Sequence, residues 1–379
     1  MKIIHIISSI NRGGAENHLF NLASMQSSMG NDVKIIYFRG DDYWSSFYNK
    51  KKIKTYKFRL RNNFNLFKII KVLLGLKKFL DKEKPDIVHA HLAWPEVLVS
   101  IIKILSKNNF KFIITKHLDS FILEGSYGQN KLLNGLFIEK IIFNLADQII
   151  FISKNVQRYF FTKIKGYKYK TRVIYYGIND KYFKSNIRTH KNYKYLRSNK
   201  SEFIILNIAR HIPQKKIDKL IDGFHQYLKI NYNSKLVLVG NGPDNKKLKQ
   251  KAKNLNINHK INWIDYAENI ENIFKISDVF CLTSDYEGLG LVLLESLLLK
   301  KPIITINKSA MKEIVVNNYN GISLNKNFSS KDLSKAFKEI NFNSKLRSKF
   351  QKNGIKQIKK KFNLKKMYLL THKIYNKSL

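Results

Sequence analysis

Cysteine, acidic residues and long apolar runs are all scarce in this sequence. Cys281 is the single cysteine among 379 residues, so neither an internal disulfide nor a cysteine-based zinc site can hold the fold together. No stretch reaches the ~18 consecutive apolar residues that a membrane-spanning helix requires. The apolar segment at residues 1–10 is too short for a signal peptide and is followed by Arg12, which favours a buried first strand in a cytoplasmic protein.

Because acidic residues are scarce, the chain is strongly basic. Asp and Glu number 27 against 70 Lys and Arg, which gives a formal net charge of +43. A basic surface attracts phosphate groups, whether these belong to nucleic acid, anionic lipid or a nucleotide. Only ten of the basic residues are arginine, the residue that suits phosphates and guanine edges. Lysine spread along the whole chain therefore favours a general Lys, Asn and Ile bias over a nucleic-acid function, and it is compatible with an anionic membrane.

Apolar residues are plentiful enough for a substantial core. Hydrophobic residues make up 44% of the chain and aromatic residues 13%, which excludes global disorder. At ~150 residues per domain, the length predicts about two domains. Short β-branched runs alternate with helical patterns from residue 2 to residue 153, and again from residue 203 to residue 306. Such alternation predicts parallel βαβ units with helices on both faces of a sheet.

A basic segment at residues 181–200 separates the two series. It carries seven Lys and Arg and no acid, and it indicates a solvated linker or surface loop. The lysine-rich tail has helical spacing with a break near Asn363. We therefore expect four parts: a first domain at 1–180, a linker at 181–200, a second domain at 201–362 and a last helix at 363–379.

Gly13 and Gly14 lie between the first predicted strand and the first predicted helix. In open α/β sheets, ligands bind where strand ends meet helix N-termini. Glycines let a ligand approach the backbone closely, and the N–H groups there favour an anion. The pair fits a plain tight turn equally well, so both interpretations stay open.

Arg210 and Lys215 bracket the loop after the strand predicted at 203–209. Two cations at the carboxyl end of a strand suit a diphosphate, which favours a binding role over chance placement. Residues 240–243 (G-N-G-P) end another strand. Because they lack the spacing of a GxGxxG fingerprint, a turn with proline opening the next helix is favoured over ligand contact.

The segment that most strongly indicates a functional site is 283–297, T-S-D-Y-E-G-L-G-L-V-L-L-E-S-L. Glu287 lies just before a helix predicted to start near Gly290, where glycines open the backbone N–H groups to a ligand. Glu295 stands among apolar residues, and a buried carboxylate needs hydrogen-bond donors such as hydroxyl groups. The buried face of this helix is expected to contain Leu291, Leu294, Leu297 and Leu298.

Four motifs in this order resemble the retaining GT-B glycosyltransferases of family 4: G-G-A-E near the start, Arg210 with Lys215, G-N-G-P, and E-G-L-G-L-V-L-L-E. The resemblance covers nearly the whole chain, and residues 147–153 and 173–177 are also similar to segments of that family. It implies an α/β protein of the GT-B fold, with two Rossmann-like βα domains facing across a cleft. The first would bind the acceptor and the second the nucleotide-sugar, and the last helix would return to the N-terminal domain.

The resemblance implies a role for each matching residue. His117 would face the reacting sugar carbon and Glu287 would contact hydroxyl groups of the donor sugar, so these two are the catalytic candidates. Glu295 would bind the nucleotide ribose. The other donor contacts would come from Gly13, Gly14, Arg210, Lys215 and the backbone of Leu289, Gly290 and Leu291. No metal or other cofactor is expected, because such enzymes are usually metal-independent and the sequence has no D-x-D motif.

The chain departs from the family pattern at three places. Lys216 stands where the family often has glycine, and Leu289 stands where an aromatic residue is usual. Residues 309–312 (S-A-M-K) replace a usual Gly-Gly ahead of Glu313. We expect these changes to leave the fold unaltered.

The implied activity is transfer of a sugar, with retention, from a UDP- or GDP-sugar to a cell-envelope glycan or a lipid-linked acceptor. Positive charge beside the phosphates would stabilise the departing nucleotide diphosphate. Two alternatives stay open: a nucleotide-sugar epimerase on the same fold, and a non-catalytic basic protein that binds membrane or nucleic acid. Glu287 and Glu295 argue against the binder, in which they have little purpose.

Residues 64–82 have helical spacing and a lysine stripe. They fit a helix that packs on a sheet with a solvated lysine edge, which is favoured, and also a basic amphipathic helix on an anionic bilayer. The two interpretations are compatible, so we expect a peripheral place at the inner face of the cell membrane and no nucleic-acid partner. The stripe contains Lys68, Lys71, Lys78 and Lys82, with Phe67, Ile70 and Leu74 covering other positions.

Overall fold

A computed structural model of the chain describes residues 1–59, 66–106, 109–118, 130–178, 193–267 and 269–378. The chain forms two compact units, one of Met1–Gly177 together with Asn363–Leu379 and the other of Ile178–Phe362. Most of the predicted basic linker, at 181–192, lies outside the described residues. At its end Tyr193 and Leu196 are buried in the second unit, whereas Lys194, Tyr195 and residues 198–200 are exposed.

The first unit contains a seven-stranded parallel sheet in the order β3-β2-β1-β4-β5-β6-β7. Its strands are β1 (Lys2–Ser9), β2 (Asp32–Arg39), β3 (Lys54–Lys57), β4 (Ile87–His91), β5 (Lys111–Lys116), β6 (Gln148–Phe151) and β7 (Thr171–Val173). Its first helices are α1 (Gly14–Ser28), α2 (Ser45–Lys50), α3 (Leu66–Glu83), α4 (Ala93–Leu105), α5 (Asn130–Leu145) and α6 (Lys154–Phe161).

Strand β1 illustrates why the β-branched runs become central strands. Ile3, Ile4, Ile6 and Ile7 are all fully buried. Side chains alternate between the two faces of a strand, so consecutive buried positions mean that both faces are covered. That is the arrangement expected of a parallel sheet with helices on both sides.

The second unit contains a six-stranded parallel sheet in the order β10-β9-β8-β11-β12-β13. Its strands are β8 (Phe203–Ile208), β9 (Ser234–Val239), β10 (Ile261–Ile264), β11 (Val279–Leu282), β12 (Ile303–Ile306) and β13 (Ile322–Leu324). Its helices are α7 (Ile217–Leu228), α8 (Asn245–Asn254), α9 (Ile270–Ile276), α10 (Leu291–Leu298), α11 (Met311–Ile314), α12 (Ser330–Phe342) and α13 (Ser344–Lys361).

The final helix, α14 (Leu364–Ser378), belongs to the first unit. Its start passes so close to Gly177 that a Cβ there would lie 2.6 Å from Cα of Leu364. Met367, Ile374 and Tyr375 are buried in the core that also contains residues of β1, β4 and β5. A glycine at position 177 is therefore required for the last helix to dock.

Several short or atypical elements have no counterpart in the sequence predictions. Helix α4 is apolar around much of its circumference and carries Pro95 in its first turn, so its period is hard to detect. Helix α8 is polar and buries only Leu248 and Ala252. Strands β7 and β13 have three residues each, too few to show alternation. The remaining unpredicted elements are α2, β3, α6, α11 and α12. No helix in the described part of the chain is long and apolar enough to cross a bilayer.

A buried charge cluster joins three elements of the first unit. The Lys116 ammonium, at the end of β5, contacts Oε2 of Glu96 on α4 and lies 2.6 Å from Oε2 of Glu139 on α5. All three side chains are buried. Burial raises the pKa of Glu96 to about 8, with Lys116 opposing that rise and Glu139 adding to it. Burial by itself would lower the pKa of Lys116, but the two carboxylates raise it. The folded environment therefore favours the protonated form of Glu96 more than water does.

This cluster predicts that stability falls as pH rises. The folded pKa of Glu96 lies above its ordinary value of 4.5, so the folded state holds a proton that the unfolded state releases. Between those two values the free energy of unfolding should fall by up to ~1.4 kcal/mol per pH unit. Urea unfolding at about pH 6 and about pH 9 measures this. Glu96→Gln should lose most of the difference, whereas exposed Glu339→Gln should keep it; equal pH dependence in all three proteins would contradict the assignment.

Two of the departures from the family pattern lie at strained backbone positions. Lys216 and Ser309 have positive φ angles of 49° and 54°. This left-handed region costs an L-residue ~1–2 kcal/mol and glycine very little. Local contacts offset the cost: Lys216 Nζ lies 3.1 Å from Oδ2 of Asp285, and Ser309 Oγ donates to the carbonyl of Glu287 at 2.7 Å. Lys216 and Ser309 therefore adopt a backbone conformation that is typical of glycine.

Replacing Lys216 should reveal that strain. Both Lys216→Gly and Lys216→Ala remove the ion pair, and only glycine relieves the left-handed backbone. Lys216→Gly should therefore be more stable than Lys216→Ala by ~1 kcal/mol in urea unfolding. Lys219, inside α7, is the matched control, because there the alanine variant should be the more stable one. If the glycine and alanine variants had the same order of stability at both positions, the backbone strain at Lys216 would be contradicted.

Candidate functional site

The loop between β1 and α1 presents the N-terminus of a fifteen-residue helix. Gly13 caps α1, and a Cβ at Gly13 would lie 2.2 Å from a carboxylate oxygen of Glu16. The other carboxylate oxygen accepts a hydrogen bond from Ser9 Oγ at 2.9 Å. Gly14 opens the helix with no heavy atom within 4 Å of where its Cβ would be. Gly13 thus makes room for a local carboxylate, and Gly14 leaves space beside the first turn.

His117 follows β5 and is buried. Its Nε2 lies 3.1 Å from Nδ1 of His91, and its Nδ1 lies 2.6 Å from the hydroxyl of Tyr176. Burial, together with the charge of Lys116, lowers the pKa of His117 to about 3. The ring is therefore neutral at pH 7 and fixed at both nitrogens.

Four further buried histidines surround His117, and the sequence analysis did not single them out. His5 lies on β1, His89 and His91 on β4, and His18 on α1. His5 pairs with His89 across the parallel ladder, so their side chains share one face of the sheet. The H-x-H pattern at the end of β4 was the available clue, because residues two apart in a strand point to the same side. His18 stacks on Tyr176 with ring centroids 4.3 Å apart.

Three of these histidines have the chemistry of a metal site. Each of His5, His89 and His91 offers a ring nitrogen, and the three atoms lie within 4.8 Å of one another. Burial lowers the pKa of all three, to about 4 for His5, so the rings are neutral as metal ligands must be. All six ring nitrogens already have hydrogen-bond partners within the protein.

In the second unit the structure brings Lys215 and Glu287 together, although they lie 72 positions apart. Lys215 Nζ and Ser284 Oγ both donate to Oε1 of Glu287 at 2.7 Å. Ser309 holds the Glu287 backbone, accepting from its N–H at 3.2 Å. Among the described residues no donor contacts Oε2 of Glu287. The pair is mostly buried, with 13% and 14% of the two side chains exposed.

Arg210 is exposed on the loop after β8, and the G-N-G-P turn supports that loop. A Cβ at Gly240 would lie 1.9 Å from the carbonyl oxygen of Ala209, and one at Gly242 would lie 2.3 Å from that of His211. His211 N–H donates to the Asn241 carbonyl at 3.0 Å. The two glycines therefore allow two backbones to touch, which agrees with the turn interpretation of this motif.

The last candidate residues lie in helix α10 or directly before it. Gly290 caps it with a φ of 90°, a conformation that suits glycine, and Leu289 is buried ahead of it. Glu295 is 5% exposed, so the expectation of a buried carboxylate in an apolar helix is met. The predicted buried face needs correction: Leu293, Leu294 and Leu297 are buried, whereas Leu291 and Leu298 are partly exposed. The helix begins at Leu291, and Leu297 packs against Gly354 of α13.

Comparison with known proteins agrees with this architecture. The sequence model of a family described as Glycosyltransferase Family 4 matches residues 12–182, and that of Glycosyl transferases group 1 matches residues 189–357. An uncharacterized glycosyltransferase of Methanocaldococcus jannaschii is 27% identical over 306 residues, covering 79% of this chain and 77% of the relative.

Two characterised proteins are also similar. One is the Campylobacter jejuni GalNAc-alpha-(1->4)-GalNAc-alpha-(1->3)-diNAcBac-PP-undecaprenol alpha-1,4-N-acetyl-D-galactosaminyltransferase. It is 24% identical over 328 residues, covering 85% of this chain and 84% of the relative. The other is Anabaena HepE, and its crystal structure in complex with UDP and glucose is similar to this chain with a TM-score of 0.83. The two chains are 18% identical, and the similarity covers the full length of both.

The two family matches are adjacent, and each covers one of the two sheet-containing halves. The solved neighbours share the complete two-unit fold. The chain therefore belongs to the glycosyltransferases, with the GT-B fold, a family 4 N-terminal region and a glycosyl transferases group 1 C-terminal region.

Proposed function

We propose that this enzyme transfers a sugar, with retention of configuration, from a UDP- or GDP-sugar to a cell-envelope glycan or a lipid-linked acceptor. The observation that carries the proposal is the Lys215–Glu287 pair at the carboxyl edge of the second sheet, which sets a cation and a hydroxyl-binding carboxylate side by side. The support for the donor is that Anabaena HepE has been crystallised with UDP and glucose. The support for the acceptor is the undecaprenol-linked acceptor that the name of the Campylobacter relative gives.

Each candidate residue of the second unit then has a chemical task. Arg210 and Lys215 stabilise the negative charge that grows on the departing diphosphate, so no metal is needed for that purpose. The first N–H groups of α10 have no partners within the helix, and with Leu289 and Gly290 they support the same phosphates. Glu287 accepts hydrogen bonds from sugar hydroxyls at Oε2, and Glu295 does so from the ribose.

The reaction breaks the bond between the anomeric carbon and the diphosphate oxygen. The acceptor hydroxyl attacks the same face from which the nucleotide departs, and its proton passes to the leaving phosphate oxygen. An epimerase, in contrast, would return an isomerised nucleotide-sugar without any acceptor. Product analysis with donor alone and with donor plus acceptor separates the two. Membership of the glycosyltransferases sets aside the non-catalytic basic binder.

Charge-removing variants separate the roles of the two glutamates. Glu295→Gln should weaken binding of the free nucleoside diphosphate roughly ten-fold, because a hydrogen bond to a charged group contributes ~1.5–3 kcal/mol. Glu287→Gln should lower turnover without weakening nucleoside diphosphate binding, because its carboxylate serves the sugar and its loss releases Lys215 toward the phosphates. Calorimetry and turnover are measured on both variants. Wild-type nucleotide affinity in Glu295→Gln, or wild-type turnover in Glu287→Gln, would reject the corresponding role.

We also propose that the first unit rests on an anionic lipid surface. Helix α3 buries Val72, Leu76 and Leu80, as a sheet-packing helix should. Its outer side mixes lysines with apolar side chains, since Phe67 is 83% exposed and Leu74 is 58% exposed. Interleaved lysine and large apolar side chains are typical of helices that lie in a membrane interface.

The exposed apolar surface continues onto the two neighbouring helices. Helix α3 contacts α4, and α4 contacts α5. Ile104 on α4 and Phe137 on α5 are 65% and 67% exposed. A lipid bilayer fits this three-helix face because it accepts apolar side chains and, if anionic, attracts the lysines around them. The enzyme would then work at the inner face of the cell membrane, where a lipid-linked acceptor is held.

Removing apolar side chains from this face should weaken membrane binding. The double variant Phe67→Ser with Ile104→Ser should bind anionic vesicles at least ten-fold less tightly, since burying each such side chain contributes ~1.5–3 kcal/mol. The control is Phe342→Ser, which removes an aromatic ring that is 64% exposed from the second unit. Co-sedimentation with vesicles of anionic phospholipid measures the effect. If the double variant and wild type sediment alike, the face does not bind membrane.

A further inference from the structure

An unbroken series of buried hydrogen bonds connects the C-terminal helix to His117. Every member has less than a tenth of its surface exposed. The members come from β1, α1, β4, β5, the segment after β7, and α14. We call this series the histidine chain, and in order it contains Tyr176, His117, His91, His5, Gln26, Tyr375, His89 and Thr115.

The distances make each link a hydrogen bond. From the Tyr176 hydroxyl the successive heavy-atom separations are 2.6, 3.1, 3.0, 2.7, 3.3, 2.6 and 2.7 Å. Hydroxyl groups and neutral imidazoles can serve as donor or acceptor, so most links could point either way. Burial makes the charged form of each ring costly, which leaves one N–H per histidine. Once the donor and the acceptor of one link are known, the donor and the acceptor of every other link therefore follow.

Gln26 is the member that fixes the direction. An amide oxygen can only accept and an amide N–H can only donate. Gln26 Oε1 lies 2.7 Å from Nε2 of His5, so that ring donates from Nε2. Gln26 Nε2 donates to the Tyr375 hydroxyl at 3.3 Å, which leaves Tyr375 to donate to Nδ1 of His89.

The donors and acceptors of the links on the other side of His5 are assigned in the same way. Its Nδ1 carries no proton, so it accepts from Nε2–H of His91. His91 Nδ1 accepts in turn from Nε2–H of His117. His117 Nδ1 accepts from the Tyr176 hydroxyl. All four histidines of the chain therefore carry their proton on Nε2.

We propose that the histidine chain is a positioning device, in which Gln26 and Tyr375 hold His117 in the Nε2–H tautomer and keep Nδ1 as a hydrogen-bond acceptor. This inference rests on the proposed function only in its last step. There, a substrate hydroxyl donates to Nδ1 in place of the Tyr176 hydroxyl. In the opposite tautomer Nδ1 would carry a proton, so it would donate to the substrate hydroxyl and could not accept that hydroxyl's hydrogen. Tyr375 and Gln26 do not touch substrate; they act through His5 and His91.

The tautomers can be measured directly. In protein selectively labelled with ¹⁵N-histidine, long-range ¹⁵N–¹H correlation spectra distinguish Nε2–H, Nδ1–H and imidazolium rings. His5, His89, His91 and His117 should all show the Nε2–H pattern at pH 7, with His117→Gln used to assign one set of signals. An Nδ1–H or doubly protonated His117 would overturn the proposal. Stoichiometric zinc in the purified protein, lost in His5→Gln, would overturn it as well, because the rings would then be metal ligands.

Two variants test the coupling from the C-terminal helix. Tyr375→Phe removes the acceptor that orients the Gln26 amide, and Gln26→Met removes the amide itself. In each, His91 and His117 should show a mixture of tautomers, and turnover should fall roughly ten-fold with little change in KM for the donor. Tyr368→Phe is the control, since Tyr368 is a buried tyrosine of the same helix outside the chain.

The outcomes separate this inference from the proposed function. Unchanged tautomers in both Tyr375→Phe and Gln26→Met would overturn the positioning role whatever the enzyme transfers. Mixed tautomers with unchanged turnover would overturn the link to catalysis and leave the transferase intact. An equal effect of Tyr368→Phe would show a general loss of packing. Wild-type protein that transfers no sugar would contradict the proposed function while leaving the spectra to decide the tautomers.

Discussion

Parallel pairing of strands is the constraint on which the rest of the structure depends. Within each described sheet every strand runs in the same direction, so all carboxyl ends meet at one edge. Loops that are far apart in sequence must then emerge side by side. This places Lys215 after β8 beside Glu287 after β11, and it places His117 after β5 beside His91 at the end of β4. The candidate site in each unit follows from strand order.

Because both faces of a parallel sheet are covered, the polar groups at that edge are buried and need partners. The two units satisfy this requirement in different ways. The first unit uses neutral imidazoles linked to one another, and it surrounds the charge of Lys116 with two carboxyl groups. The second unit uses an ion pair, Lys215 with Glu287, supported by two serines. Neutral rings in one unit and fixed charges in the other suit a hydroxyl acceptor and a diphosphate donor respectively.

Backbone geometry is retained even where the residue type has changed. Lys216 and Ser309 adopt glycine-like angles at positions where the family pattern has glycine. The surrounding contacts, from Asp285 to Lys216 and from Ser309 to Glu287, over-determine those angles. Local strain is tolerated where the loop it shapes holds a functional side chain in place. In this protein that side chain is Glu287, the carboxylate that we propose binds the donor sugar.

The sequence by itself determined the layered fold and the burial of Glu295. β-branched runs such as that of β1 can only be covered strands, and their alternation with helical periods predicted both sheets. The motif from Glu287 to Glu295 predicted a capped helix with a buried carboxylate, and Glu295 is buried. These features depend on neighbours within one or two turns of chain, which is why pattern alone detects them.

Only the tertiary structure decided which side chains touch. Gln26 and Tyr375 are 349 positions apart, and neither carries a motif, yet their hydrogen bond orients the whole histidine chain. The buried face of α10 was mispredicted at Leu291 and Leu298, which are partly exposed, because the elements that pack on that helix come from distant parts of the chain. The raised pKa of Glu96 likewise depends on burial, and on Lys116 and Glu139 from two other elements. Contacts of this kind follow from packing at long sequence separation, and periodicity within a segment carries no information about them.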